Sequence, residues 1–289
     1  MKEIALKESD ISKLKKYPLD GIIYAESEIY YLKREKDWAN SILLKKLHNT
    51  KDENRINRKI ETIKTLQESE LTSYKELVIP TDLVTIGGIK SGFTIKEVVD
   101  STNLCLFLKN EYINASTKIG ILKKIGELLR RVQSQKQEFY FGDLQEYNFL
   151  VGKNGEIYVV DLDSSAVNKK AALESKYIII DRRIRNVDKY NITEMKLAYP
   201  SKDIDIFCYN SMVLNYISGI YLHRLEDDEY YEYLEYLKNI GIPEKMIDIY
   251  INHYTNKSNE SVVDYLGEIP SVYQANYSVF KALKKKKGK

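Results

Sequence analysis

Short apolar runs separated by polar and turn residues dominate the first hundred positions, a pattern typical of β-strands. The first run, GIIYAESEIYYLKR, has two β-type halves around AESE and therefore predicts a hairpin. Glycines in GGIKSG supply turn residues between the last two runs. The predicted strand segments are 21–34, 41–47, 83–89 and 92–99.

Apolar residues at helical spacing take over in the rest of the chain. Ile56, Ile60 and Ile63 recur among charged residues and predict one helix at 55–67, within the strand-rich region. From Ser116 onward the pattern is mainly helical, beginning with one long apolar stripe. Its members are Ile119, Leu122, Ile125, Leu129 and Val132, and further helices are predicted at 203–219, 226–239 and after Pro243. The sequence thus predicts an α+β protein with a strand-rich beginning and a helical remainder.

Composition indicates a globular chain large enough for two lobes. It has 289 residues, of which 43% are apolar and 30% charged. No run approaches the roughly 18 apolar residues of a membrane span, and the N-terminus lacks the features of a secretory signal. Cys105 and Cys208 lie in apolar runs, which predicts buried thiols in a reducing cytoplasm. Frequent lysine, isoleucine, tyrosine and asparagine are typical of an AT-rich genome, for instance a bacterial one.

Charge and aromatic content give little reason to expect a nucleic-acid partner. The net charge is +3, and the 24 tyrosines are spread along the chain rather than clustered among basic residues. Much of the excess positive charge lies in the last six residues, KKKKGK. We expect this tail to be a solvated, frayed terminus, with binding to an anionic surface as the alternative.

Three polar residues in the segment FGDLQEYNFLVGKNGEIYVVDLDSS carry the candidate chemistry. Asp143 and Asn148 are five positions apart, and Asp161 follows thirteen positions after Asn148. The intervening residues predict strand, turn and strand, and such a hairpin brings Asn148 and Asp161 to one end. Carboxylate and amide oxygens suit Mg²⁺, and Asp143 is then free to serve as a base for an incoming hydroxyl.

This order and spacing resembles the catalytic core of the protein kinase superfamily, including its aminoglycoside-phosphotransferase and choline-kinase branch. The resemblance implies a bilobal, protein-kinase-like fold that uses ATP and Mg²⁺. It places a small antiparallel-sheet N-lobe with one helix at 1–96 and a hinge at 97–102. The mainly helical C-lobe is then 103–289, with the catalytic loop at 141–148 and the metal motif at 161–163.

The resemblance also assigns roles to single residues in the N-lobe and hinge. ILLKKL resembles the strand whose lysine binds the α- and β-phosphates, which makes Lys45 that lysine. The following helix should supply a glutamate to hold Lys45, and Glu61 is the candidate, with Lys59 competing for the position. KEVVDSTNL resembles the hinge, so the backbone of Glu97 and Val99 would hold adenine.

In the C-lobe, the resemblance makes Asp143 the catalytic base and gives Asn148 and Asp161 to the metal. Asp163 replaces the glycine of the family's Asp-Phe-Gly motif, where it either adds a metal contact or rigidifies the turn. Asp203, at the start of a buried helix, would brace the backbone of the catalytic loop.

Some positions depart from the family pattern and leave the acceptor open. The phosphate-loop region LDGIIYAESEIYYL has Gly21 as its one glycine, which favours a nucleotide-binding pseudokinase scaffold as one alternative. Gln145 stands where protein kinases usually carry a lysine, which favours a small-molecule kinase as another. The expected function is transfer of the γ-phosphate of ATP to a hydroxyl acceptor, with serine or threonine of a protein preferred.

Overall fold

The computed structural model describes residues 1–18, 27–33, 41–48, 51–168, 170–171, 200–221, 224–255 and 260–287. Across these residues the protein is mixed α+β, with a sheet in the N-terminal region and mostly helices in the C-terminal part. The chain divides into two compact units. The described residues of the first fall within Met1–Phe107, Gln135–Phe141 and Glu146–Leu173, and those of the second within Leu108–Ser134, Gly142–Gln145 and Glu174–Lys289. The lobe boundaries given above stay predictions.

A five-stranded sheet organises the first unit. Its strands are β1 (Glu3–Leu6), β2 (Ser27–Lys33), β3 (Ile42–Leu47), β4 (Leu83–Ile86) and β5 (Ile89–Lys96), in the order β1-β4-β5-β3-β2. The first half of the predicted hairpin at 21–34 lies outside the described residues, whereas β2, β3, β4 and β5 confirm the other predicted strands. Gly87 and Gly88, both with positive φ, form the tight turn between β4 and β5.

Strand β1 corrects the expectation of a purely antiparallel sheet. It pairs with β4 in parallel, with Glu3 opposite Leu83, while the other pairs in this sheet are antiparallel. Its four residues were too short a run to indicate a strand in the sequence. A parallel pair also needs a long crossover connection instead of a hairpin turn, so no local turn signal announces it. A short helix, α1 (Glu8–Ile11), follows β1.

Helix α2 (Glu53–Gln67) covers part of the sheet and confirms the helix predicted at 55–67. Asp52 caps its start by accepting a hydrogen bond from the backbone N–H of Arg55 at 3.0 Å. The predicted isoleucine stripe is buried in one core with residues of three strands. The members of that core are Leu47, Ile56, Ile60, Ile63, Leu83 and Phe93.

Two small sheets complete the first unit. One has the order β6-β8-β9 and the other β11-β10-β7. The strands are β6 (Ser101–Asn103), β7 (Phe139–Tyr140), β8 (Phe149–Gly152), β9 (Ile157–Val159), β10 (Ala166–Val167) and β11 (Lys170–Ala171), with 3₁₀ turns at Glu70–Ser73, Glu146–Asn148 and Leu162–Ser164. The antiparallel pair β8–β9, with Phe149 opposite Val159, confirms the hairpin predicted between Asn148 and Asp161.

Helices make up most of the described part of the second unit. The helices of the chain after α2 are α3 (Leu104–Lys109), α4 (Ala115–Gln133), α5 (Lys202–Ser218), α6 (Asp227–Asn239), α7 (Glu244–Thr255) and α8 (Tyr277–Lys287), with a 3₁₀ helix at Val262–Glu268. The helices predicted from Ser116 onward are therefore confirmed. Helices α4 and α5 pack closely, since a β-carbon at Gly126 would lie 2.5 Å from the hydroxyl of Tyr209. That hydroxyl donates to the carbonyl of Leu122 at 2.8 Å.

The described part of the basic tail is helical, and Lys284, Lys285 and Lys286 are exposed, as expected for a solvated segment. Lys284 to Lys287 belong to helix α8, and Phe280 of that helix is buried against the ring of Tyr233 on α6. Lys281 pairs with Glu229 at 2.7 Å, and Lys284 pairs with Glu232. An apolar contact flanked by ion pairs thus holds the tail helix on α6.

Two further expectations concern the cysteines and membrane-spanning helices. Cys105 and Cys208 are both buried and unbridged, as predicted. Over the described residues, no helix combines the length and the apolar character that crossing a membrane requires.

Candidate functional site

Lys45 lies in the interior of the five-stranded sheet, which explains why its charge must find partners. It sits on β3 between Ile29 of β2 and Phe93 of β5, and its residue exposure is 7%. A buried ammonium is costly unless a carboxylate neutralises it. Its side chain donates to Asp161 and, at 2.5 Å, to Oδ1 of Asp163. The sheet therefore brings Lys45 to the metal motif predicted at 161–163.

Asp161 reaches Lys45 because it follows directly on the β8–β9 hairpin. The backbone N–H of Val160 donates to the carbonyl of Asn148 at 2.9 Å, extending the hairpin pairing to its open end. Asp161 then adopts a left-handed backbone conformation with φ 67° and ψ 34°. Such a conformation is uncommon for residues other than glycine and concentrates at functional positions. With 31% of its side chain exposed, Asp161 is the accessible member of the group.

Helix α2 contributes Lys59, and not Glu61, to this group. Lys59 is 3% exposed and donates to Oδ2 of Asp163, which is itself fully buried. Glu61 is exposed, on a different side of the helix. The reason is helical periodicity: residue 59 shares a face with the buried Ile56 and Ile63, whereas residue 61 is turned away by about 200° from residue 59. The sequence had already offered Lys59 as the alternative to Glu61 at this helix position.

The four side chains Lys45, Lys59, Asp161 and Asp163, called the charge cluster below, have balanced formal charge. Burial alone would lower the pKa of Lys45, but Asp161 and Asp163 beside it hold that pKa above its ordinary value. Burial likewise opposes ionisation of Asp163, but Lys45 and Lys59 hold its pKa well below the ordinary value. For Asp161, burial and the neighbouring Asp163 raise the pKa despite Lys45. Asp163 is thus the firmly ionised centre of the charge cluster.

The oxygen donors near the hairpin end suit Mg²⁺ in type. Asp161 offers a partly exposed carboxylate and the buried Asn148 an amide oxygen, and Mg²⁺ normally takes one or two protein oxygens together with phosphates and water. Asp163 suits it less, because both of its oxygens accept from lysines. Among the described residues, no group of three or more histidines, cysteines, aspartates and glutamates could hold a metal ion.

The predicted hinge residues lie where β5 ends. The backbone N–H of Glu97 donates to the carbonyl of Ser41 at 3.1 Å, which prolongs the pairing of β5 with β3. The Glu97 side chain is buried and accepts from the hydroxyl of Tyr31 at 3.3 Å. Val99 is 37% exposed. Their role in holding adenine stays a prediction.

The loop that carries Asp143 belongs to the second unit and is anchored within it. Gly142, with φ 73°, donates its backbone N–H to Oδ1 of Asp205 at 3.3 Å, and Gln133 donates to Oδ2 of Asp205 at 3.1 Å. Gln145 donates to Asp143 itself at 3.4 Å. Asp205, which is 1% exposed, is therefore a residue that braces this loop, while the bracing role expected of Asp203 stays a prediction. Two residues along a helix point to different sides, and the second of them faces the loop.

Comparison with known proteins adds no family assignment. Neither the protein-family models nor the curated proteins give a match to this chain.

Proposed function

We propose that this chain is a kinase with a protein-kinase-like bilobal fold, which transfers the γ-phosphate of ATP to a hydroxyl acceptor. The observation that carries the proposal is the ion contact between Lys45 on β3 and Asp161 after the β8–β9 hairpin. These residues are 116 positions apart, and each is of the type, and on the element, that the family resemblance requires.

Within this proposal, Lys45 binds the α- and β-phosphates of ATP as a compact positive charge. Asp161 and Asn148 would hold Mg²⁺, which supplies neutralisation of the phosphate charge when bound. Without ligands, Lys45 and Asp161 neutralise each other. When Mg²⁺ and phosphate bind, two new pairs would replace this one: Lys45 with phosphate, and Asp161 with Mg²⁺. Such catalysis depends mainly on positioning and electrostatics.

Asp143 is the proposed base for the acceptor hydroxyl, on the basis of its spacing from Asn148 and Asp161 in the sequence. Asp205 holds the loop of Asp143 by accepting a hydrogen bond from the backbone N–H of Gly142. The preferred acceptor is serine or threonine of a protein, with a small-molecule hydroxyl as the other class that the sequence favours.

Thermal unfolding with ATP, with ATP and Mg²⁺, and with ATP, Mg²⁺ and EDTA tests the nucleotide part of the proposal. ATP with Mg²⁺ at a hundred times its Kd should stabilise the folded state by about 2.7 kcal/mol, and EDTA should remove most of that gain. Asp161→Asn should lose the Mg²⁺-dependent gain, whereas the exposed control Asp264→Asn should keep it. An unchanged melting temperature of the wild-type protein at millimolar ATP and Mg²⁺ would refute the proposal.

Transfer itself is measured with γ-labelled ATP against a cell lysate and against a panel of small-molecule alcohols. Label in protein serine or threonine supports the preferred acceptor, and label in a small alcohol supports the other class. Binding of ATP and Mg²⁺ without any transfer would instead establish the pseudokinase scaffold, which the single glycine of the phosphate-loop region favours.

A further inference from the structure

Asp163 bridges two buried lysines that come from different elements. Its Oδ1 accepts from Lys45 of β3 at 2.5 Å, and its Oδ2 accepts from Lys59 of α2. The exposures of the three residues are 0% for Asp163, 7% for Lys45 and 3% for Lys59. One carboxylate therefore ties the sheet, helix α2 and the 3₁₀ turn after β9 together.

Charge balance separates the roles of the two aspartates. In the charge cluster two lysines face two aspartates, so the net formal charge is zero. If Asp163 turned to a metal ion, Lys59 would lose the carboxylate that it contacts and would stay buried on the apolar face of α2. An unpaired buried ammonium is strongly destabilising. Asp161 can leave Lys45 at lower cost, because it is partly exposed and Lys45 keeps Asp163.

Helix α2 is well placed to act as the fixed support. Its isoleucine face is buried against β3, β4 and β5, and the first turn is capped by Asp52. Lys59 lies on that same face, so the helix holds its ammonium in one place. Lys45 reaches the same carboxylate from the other side, because it comes from strand β3 of the sheet.

We propose that Asp163 is the residue that positions Lys45, and that Lys59 of helix α2 holds Asp163 in place. The family resemblance expects the helix to supply a glutamate that holds the phosphate-binding lysine. Here the helix supplies the cation Lys59 instead, and the carboxylate that holds Lys45 comes from the third residue of the metal motif. Asp163 is a positioning residue in this arrangement and not a metal ligand. The inference rests on the proposed function for the role of Lys45, but the coupling of Lys59 to Asp163 is independent of it.

A double-mutant cycle on the protein without nucleotide tests that coupling. Asp163→Asn leaves Lys59 buried without a carboxylate and should lower the melting temperature by about 6 °C or more. Lys59→Met removes the unpaired charge, so the double variant should melt above Asp163→Asn alone. Lys64→Met, at an exposed position of the same helix, should not rescue Asp163→Asn. Equal effects of Lys59→Met in the two backgrounds would overturn the coupling.

The Mg²⁺ dependence of ATP binding separates positioning from metal ligation. Lys59→Met retains both aspartates and serves as the variant that folds most readily. It should weaken ATP binding about tenfold at saturating Mg²⁺, with the Mg²⁺ concentration for half-maximal binding unchanged. Asp161→Asn should raise that Mg²⁺ concentration, and Asp163→Asn should behave like Lys59→Met. A raised Mg²⁺ requirement in Asp163→Asn as large as that in Asp161→Asn would make Asp163 a ligand and overturn the inference.

The proposed function and the positioning role of Asp163 can fail independently of each other. If the wild-type protein binds no ATP, the proposed function fails, while rescue of Asp163→Asn by Lys59→Met still establishes the link between helix and motif. If the wild-type protein binds ATP and the rescue is missing, the proposed function stands and the positioning role of Asp163 is wrong.

Discussion

Gly92 of β5 lies so close to Lys45 of β3 that a β-carbon at Gly92 would stand 2.0 Å from the Lys45 carbonyl oxygen. No side chain fits there without movement of backbone, since the nearest atoms all belong to the main chain of Lys45 and Lys46. The position therefore requires glycine for space. This contact links a residue without a side chain to the strand that carries the proposed phosphate-binding lysine.

Gly92→Ala should consequently shift β3 and destabilise the protein by about 1–3 kcal/mol, the range for overpacking a buried site. ATP binding should fall together with stability, because Lys45 moves with its strand. Urea unfolding and ATP titration measure the two effects. Gly120→Ala is the control, since a β-carbon there meets nothing within 4 Å and alanine favours the helix. A Gly92→Ala variant as stable as the wild type would show that the strands can separate locally.

Lys45 and Lys46 form a matched pair for testing the site. Successive side chains on a strand point to opposite faces, and Lys46 is 30% exposed at 3.8 Å from Glu28. Lys45→Met should abolish measurable ATP binding, whereas Lys46→Met should leave it within about twofold of the wild type, as expected for a weak surface pair. Isothermal titration with ATP and Mg²⁺ measures both. Equal losses in the two variants would show that Lys45 has no special part in binding nucleotide.

The sequence predicted the parts of the site that depend on local spacing. The hairpin between Asn148 and Asp161 follows from strand and turn residues, and a short apolar run predicted strand β3. The choice of Lys45 on that strand came from the family resemblance. Lys59 was harder to assign, because a lysine on an apolar stripe ordinarily extends to solvent. Its burial depends on Asp163, which is 104 positions away and becomes a neighbour only through tertiary packing. The isoleucines at helical spacing around Lys59 were the available signal.

Two other features could not be predicted from local sequence patterns. Strand β1 pairs in parallel with β4, so its partner is about 80 positions away and no turn indicates it. At the start of α5, both Asp203 and Asp205 are acidic residues suited to a first helical turn. Which of them faces Gly142 is decided by the rotation of the helix about its axis, and a helix buried on nearly all sides, as α5 is, gives no apolar face from which to predict that rotation.

Asp205 should therefore matter more than Asp203 for the stability of the second unit. Asp205→Asn weakens the hydrogen bonds from Gly142 and Gln133 to a buried carboxylate and should cost about 1.5–3 kcal/mol. Asp203→Asn, at a half-buried position in the first helical turn, should cost less than about 1 kcal/mol. Urea unfolding of both variants checks the ranking. A larger loss for Asp203→Asn would restore the residue expected from the sequence.

Phe280 should anchor the basic tail helix. It is 6% exposed and its ring centroid lies 5.1 Å from that of Tyr233, so Phe280→Ala should cost about 3 kcal/mol and expose the tail to proteases. Leu283 on the same helix is 42% exposed, and its change to alanine should cost little. Limited proteolysis followed by mass spectrometry reports release of the tail. Equal protection of wild type and Phe280→Ala would mean that the ion pairs alone hold the helix.

Buried tyrosines should set the alkaline limit of stability. Burial raises the pKa of Tyr216 to about 12, and burial also raises the pKa values of Tyr209 and Tyr233 well above the ordinary 10.0. The unfolded chain loses these protons near pH 10 while the folded chain keeps them, so the free energy of unfolding should fall as pH rises above 10. Below pH 10 these groups are neutral in both states and contribute no slope. Tyrosinate absorbance during an alkaline titration should show the exposed tyrosines ionising first.

Tyr216→Phe isolates this effect, because phenylalanine keeps the ring and removes the proton. The variant should lose less stability than the wild type between pH 10 and 12. Urea unfolding at a series of pH values gives the slopes directly. If all tyrosines ionised in one step near pH 10 with the circular dichroism of the folded protein unchanged, water would have to reach these rings in the native state. The packing of α5 against α4 and of α6 against α8 described above would then be incorrect.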